Sequence, residues 1–200
     1  MPNAGYHTDY SKGPTPPKAT FLLAKQLLET GDDTQFVNMT RAYEDLPLDI
    51  KKRIDRRKAK HVSQSKFSAQ KLTGLTLEAK KHFPDFVMHP LVRTRPDTGL
   101  KTLYFNQIRI EAIEGLEEAE TQELLDALID HATQTKYQYR HKWRLNDLVM
   151  WDNRCLLHQA NGDYNHSQTR YLPRNAARRR ALFRRIRYEG VWDDETLERA

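Results

Sequence analysis

Short extended runs, set apart by turn-rich stretches and interrupted by a few helices, recur along almost the whole of this chain. That pattern restricts it to folds built around β-strands. The first run, Ala19-Thr20-Phe21-Leu22-Leu23-Ala24, is reached through Gly13-Pro14-Thr15-Pro16-Pro17. A second, Thr34 to Val37, follows Gly31-Asp32-Asp33, after which Asn38 can cap a helix through Tyr43. Pro47 opens another helix, with Ile50 and Ile54 on one face and lysines and arginines on the other. Ser63 to Lys81 reads as a polar loop with some helix. Phe86 to Thr94 and Thr102 to Phe105 read as strands around a Pro96-Asp97-Thr98-Gly99 turn. Between Glu118 and Thr133 the residues Leu124, Leu125, Leu128, Ile129 and Ala132 make the apolar stripe of a helix. Strands return at Tyr137 to Trp143, Leu148 to Trp151 and Arg154 to Ala160, and a last one includes Arg170 to Leu172. The expected class is α+β, with helices inserted into an antiparallel core.

Two hundred residues suit one domain able to bury a real core. No run of about 18 apolar residues is present, so no membrane span is expected. The single cysteine, Cys155, excludes an internal disulfide framework and points to a reducing compartment, read as cytoplasmic. The net charge of +6 is concentrated near the C-terminus, in Arg178, Arg179, Arg180, Arg184, Arg185 and Arg187. Without a nucleic-acid motif or a stacking platform beside it, this cluster reads as a solvated face or tail, and no nucleic-acid partner is expected.

Chemistry enters at His7-Thr8-Asp9. In an extended segment residues i and i+2 share a face, so this imidazole and carboxylate can meet one ion. Two histidines and a carboxylate on one face of an octahedron hold non-haem Fe(II) and leave three positions open. A distal histidine is therefore required.

The surroundings of this motif resemble the taurine and 2,4-dichlorophenoxyacetate dioxygenase family. Gly5-Tyr6-His7-Thr8-Asp9-Tyr10-Ser11 and Pro16-Pro17-Lys18-Ala19-Thr20 look like its metal segment, and Gly31-Asp32-Asp33-Thr34-Gln35-Phe36 like its Gly-Asp-Thr-x-Phe element. His89-Pro90-Leu91-Val92-Arg93-Thr94 and Thr98-Gly99 resemble its central strand and turn. Trp151-Asp152-Asn153-Arg154-Cys155-Leu156-Leu157-His158 resembles the segment that delivers the distal histidine.

The resemblance implies a double-stranded β-helix, the jelly roll of clavaminate-synthase-like enzymes. It also implies an Fe(II)- and 2-oxoglutarate-dependent dioxygenase, using O2, with His7, Asp9 and His158 as catalytic metal ligands. Decarboxylation of 2-oxoglutarate to succinate and CO2 would be coupled to hydroxylation of a small anionic substrate, a sulfonate, carboxylate or sulfate ester. By the same likeness Thr34 and Arg170 bind the far carboxylate of 2-oxoglutarate, and Arg174 and Asn3 contact substrate. A competing pair, Arg180 and Arg184, repeats the spacing of Arg170 and Arg174 and resumes the family's strand end at Arg187-Tyr188-Glu189-Gly190.

Residues 1–174 are expected to form the catalytic domain, and 175–200 a basic segment that is a last strand or a loose tail. Members of the family carry a substantial portion before the His-x-Asp segment, so the chain is expected to be N-terminally truncated, lacking the first strands of its core. An inactive remnant of the family therefore stays open as an alternative. So does a metal-dependent hydrolase, since a His/Asp/His site can hold zinc and activate water. A homo-oligomer is also open. His61, His82, His131, His141 and His166 carry no motif, His89 reads as a polar strand residue, and Trp151 and Cys155 read as core.

Overall fold

The structure, a computed structural model, describes residues 5–28, 31, 33–68, 84–106, 108–163 and 171–177. Among them are eleven strands and three helices. In chain order these are β1 (Ala19–Leu23), β2 (Thr34–Asn38), α1 (Met39–Glu44), α2 (Leu48–Ile54), β3 (Lys58–Val62), β4 (Phe86–Pro90), β5 (Val92–Thr94), β6 (Lys101–Leu103) and β7 (Ile110–Ile113). Then come α3 (Glu118–Ala132), a 3-10 turn at Thr135–Tyr137, β8 (Gln138–His141), β9 (Leu148–Asp152), β10 (Leu156–Ala160) and β11 (Arg174–Ala177). Every paired strand runs antiparallel to its neighbours. The α+β class holds in this arrangement of helices and antiparallel sheets.

Two three-stranded sheets position the site, one ordered β11-β1-β9 and the other β10-β2-β8. They face one another, since the Phe36 ring on β2 lies 5.4 Å from Trp151 on β9. The opposite face of β10-β2-β8 carries the main core. Val37 and Leu157, paired across the ladder, join Met39 and Ala42 of α1 and Leu124, Leu125, Leu128 and Ala132 of α3 in one apolar cluster. Strand alternation thus sorts the two faces: Leu157 goes to the core and His158 to the space between the sheets. The third sheet, β4-β3-β7, and the β5-β6 hairpin extend the same cluster through Ala59, Ile110, Ile113, Leu91 and Leu103.

Local chemistry explains the element ends. The Asn38 side chain accepts from the N–H groups of Thr40 and Arg41, so the helix starts where the strand stops. Glu117 and Glu120 form a reciprocal capping box on α3. Its His131 Nε2 donates to the Ala42 carbonyl at 2.8 Å, tying α3 to α1.

Several expectations need correction. Lys58–Val62 and Ile110–Ile113 are strands that the residue pattern did not suggest. Phe86 to Thr94 is broken at Leu91, whose N–H and carbonyl bond Arg57 and Tyr104 instead. The strand expected from Arg154 begins at Leu156, because Asp152 to Cys155 form a turn in which Arg154 closes on Asp152 and Asp97. Cys155 sits in that turn and is buried, as expected of a core residue. Tyr171 makes only an isolated bridge to Gln26, and the last strand lies at Arg174–Ala177, spanning the boundary drawn at 174. Most of the expected Ser63–Lys81 loop lies outside the described residues.

Candidate metal centre

His158 reaches the site from the middle of β10. Its N–H and carbonyl both pair with His7, at 2.8 and 2.9 Å, so the segment before β1 docks against β10 with the two histidines side by side. Their rings stand 4.3 Å apart. Past His7 the chain does not stay extended. It turns at Asp9 to Lys12, with Tyr10 at φ 52°, and the turn carries the Asp9 carboxylate back toward both imidazoles.

His7, Asp9 and His158 each offer an atom within 4.8 Å of the others. Asp9 and His158 are buried, and His158 Nε2 lies 3.9 Å from Asp9 Oδ2, beyond hydrogen-bond reach. His7 Nδ1 sits 3.0 Å from the Gly5 carbonyl, which can only accept. The proton is therefore on Nδ1 and the lone pair of Nε2 is free, as a ligating histidine requires. Burial lowers the pKa of His7, partly offset by the Asp9 charge. For His158, burial and the adjacent His7 push it to about 3. Both rings are neutral near pH 7. Two neutral imidazoles and a carboxylate, gathered without hydrogen bonds among them, are a donor set that fits a divalent transition metal.

Each donor has its own support. Thr20 Oγ1 donates to Asp9 Oδ2 at 2.7 Å, and Arg174 Nη1 donates to Asp9 Oδ1 at 3.1 Å. Trp151 packs its ring 4.7 Å from that of His158, and Phe36 lies on the same side at 6.3 Å. Asn106 Nδ2 donates to the Thr8 carbonyl and to Ser11 Oγ, fixing the turn after the first two donors. Thr34 is buried on β2, and its hydroxyl accepts from Trp143 Nε1 at 3.0 Å. His89 is buried on β4 with Nε2 bonded to the Gly13 carbonyl, a packing role. Asn3, Arg170, Arg180 and Arg184 lie outside the described residues.

The supports at Thr20, Asn106 and Trp143, and Asn153, whose Nδ2 donates to Thr20 Oγ1, escaped the sequence reading. Thr20 and Asn153 stand inside quoted motif blocks, but nothing local links either to residue 9.

Fold and site together define a protein of antiparallel sheets that gathers a His/Asp/His donor set between two of them. The family description "Taurine catabolism dioxygenase TauD, TfdA family" matches residues 1–175, and the chain belongs to this family. It is 38% identical over 165 residues to the (S)-phenoxypropionate/alpha-ketoglutarate-dioxygenase of Sphingobium herbicidovorans, covering 79% of this chain and 56% of that protein. It is 37% identical over 174 residues to the alpha-ketoglutarate-dependent 2,4-dichlorophenoxyacetate dioxygenase of Cupriavidus pinatubonensis, covering 86% and 59%. The chain thus spans little more than half the length of these relatives. Among solved structures, AAD-2 in complex with Mn(II) and N-oxalylglycine superposes with a TM-score of 0.78 at 35% identity, covering 88% of this chain and 68% of that one.

Proposed function

We propose that this chain carries the iron centre of a 2-oxoglutarate-dependent dioxygenase that hydroxylates a small anionic organic molecule. The observation behind this reading is the convergence of His7, Asp9 and His158 within 4.8 Å between two sheets. His7, Asp9 and His158 would hold a divalent metal and leave it accessible to 2-oxoglutarate and O2. Fe(II) held there supplies the oxygen chemistry, with succinate and CO2 as the products of the cosubstrate. The two facing three-stranded sheets are read as the halves of a double-stranded β-helix.

The protein's own part is to orient and to set charge. The Thr34 hydroxyl accepts the Trp143 indole N–H and keeps its single proton to give, here to the far carboxylate of 2-oxoglutarate together with Arg170. Arg174 stands against Asp9 at the margin of the site, where its guanidinium can also meet a substrate anion, with Asn3 as a second contact. A carboxylate substrate is favoured among the anionic classes, because the two named relatives act on phenoxypropionate and 2,4-dichlorophenoxyacetate.

The test is succinate release with Fe(II), ascorbate and 2-oxoglutarate against a panel of carboxylates, sulfonates and sulfate esters. Anaerobic Fe(II) plus 2-oxoglutarate should give a visible charge-transfer band that His7→Ala, Asp9→Ala and His158→Ala each abolish. A band of wild-type strength in Asp9→Ala removes Asp9 from the centre. Turnover with Zn(II) in the absence of 2-oxoglutarate makes the site a hydrolase instead.

A further inference from the structure

A chain of buried hydrogen bonds runs from one donor of the centre to the residue packed on another. Trp151 Nε1 donates to Asn153 Oδ1 at 3.0 Å, Asn153 Nδ2 donates to Thr20 Oγ1 at 2.8 Å, and Thr20 Oγ1 donates to Asp9 Oδ2 at 2.7 Å. All four residues are buried, with Thr20 at 0%, Asn153 at 1%, Trp151 at 3% and Asp9 at 4% exposure. The direction of the chain is forced from its first link. An indole N–H can only donate, so it fixes the amide oxygen of Asn153 toward Trp151 and the amide nitrogen toward Thr20. The Thr20 oxygen then accepts, and its one hydroxyl proton is left for Asp9. Oδ2, the oxygen that receives it, is also the one nearest His158, at 3.9 Å.

The anchoring of this chain is equally specific. Asn153 N–H donates to the Lys18 carbonyl, and Thr8 Oγ1 donates to the Asn153 carbonyl at 2.8 Å. Asn153 therefore joins three pieces: the turn after β9, the approach to β1 and the Thr8 side chain beside Asp9. Trp151 lies with its ring against His158 while its N–H starts the route to Asp9.

We propose that Thr20 and Asn153, oriented by Trp151, are positioning residues that hold the Asp9 carboxylate in one rotamer for the metal and register it to His158. The inference rests on the metal centre proposed above. A carboxylate so held loses less freedom when it ligates, so the effect should appear in metal affinity and not only in turnover.

The experiment titrates Mn(II) into metal-free wild type, Thr20→Val, Thr20→Ser and Trp151→Phe, following free Mn(II) by electron paramagnetic resonance. Urea denaturation of each metal-free protein is measured alongside. Thr20→Val keeps the shape and removes the hydroxyl, so its Kd should rise roughly 10-fold or more, whereas Thr20→Ser should stay within about 3-fold of wild type. Trp151→Phe keeps the ring but frees the Asn153 amide, and should fall between the two. A Thr20→Val protein that loses urea stability yet binds Mn(II) as Thr20→Ser does would overturn the proposal, since the chain would then only brace the loop. If Thr20→Val does not fold, wild-type affinity in Trp151→Phe overturns it as well. Wild type that takes up no Mn(II) brings down the metal centre itself, and this inference with it, which is a different result from equal binding by all four proteins.

Discussion

Phe36 and His158 face each other across the β2-β10 ladder, and one residue further along the same strands Val37 and Leu157 face the apolar cluster. A one-residue slip would put an imidazole among leucines and a leucine beside Asp9, so packing of the core and placement of the ligand depend on one register. Leu157→Ala should therefore cost about 2–5 kcal/mol of stability and weaken metal binding by loosening β10, both measurable in the same urea and Mn(II) titrations. At Thr34 the argument concerns a single proton. Trp143 Nε1 donates to the hydroxyl oxygen, so the one hydroxyl proton is left to donate to another acceptor. Trp143→Phe should raise the KM for 2-oxoglutarate about 5-fold with little change in kcat, as the loss of one neutral hydrogen bond near 1 kcal/mol implies. An unchanged KM would leave Trp143 a packing residue only.

Among the elements, the start of β2 and the exit of β10 are tied where Thr34 pairs with Ala160. Arg140 on β8 bonds Asp33 at 2.7 Å and Asp163 at 2.6 Å. Gly31 sits beneath this clamp at φ +78°, and a Cβ there would meet the Asp163 carbonyl oxygen at 2.2 Å. Left-handed backbone and backbone clash add, so Gly31→Ala should destabilise by at least about 2 kcal/mol, seen as a lower urea midpoint. Elements with one dominant signal were legible in the sequence: α3 from its apolar stripe, α1 from Asn38, β1 and β2 from their apolar runs. Strands without such a signal were not. In β3 the inward residues are Ala59 and His61, so Lys58 to Val62 reads as more of the basic helix before it. In β7 Ile110 and Ile113 are the buried pair, and their spacing mimics a helix turn. The centre divides in the same way. His7 and Asp9 form a local motif and His158 came through its block, but Thr20 is eleven residues from Asp9 and Asn153 is 133 from Thr20, and only the sheet brings them together.

The molecule as a whole keeps several histidines away from water, and that sets how it responds to acid. His61 is fully buried on β3 with neither ring nitrogen bonded, packed near the rings of His89 and Tyr104. Burial, with His89, Arg93 and Arg109 nearby, pushes its pKa from 6.5 to about 3. His89 and His7 are lowered for the same first reason, and His158 falls to about 3. In the unfolded chain these rings take a proton near 6.5; in the folded protein all four take it less readily, His61 and His158 only near 3. Below pH 6.5 the unfolded state therefore binds more protons, and stability drops as pH falls toward 3, while above 6.5 these groups impose no slope. His61 and His158 each contribute up to about 1.4 kcal/mol per pH unit within that window. Urea midpoints of the metal-free protein at pH 7.5, 6.0 and 5.0 should thus decline steeply across the last two. His61→Phe, which keeps an aromatic ring and removes one titration, should make the decline shallower without lowering the midpoint at pH 5.0. Saturating Mn(II) should raise the midpoint at pH 7.5 by mass action, and the gain should persist at pH 5.0, where the folded His158 ring is still neutral. Midpoints that stay level from pH 7.5 to 5.0 would mean that these rings are protonated in the folded protein, and the closed, neutral environment described for His61 and His158 would not exist in solution.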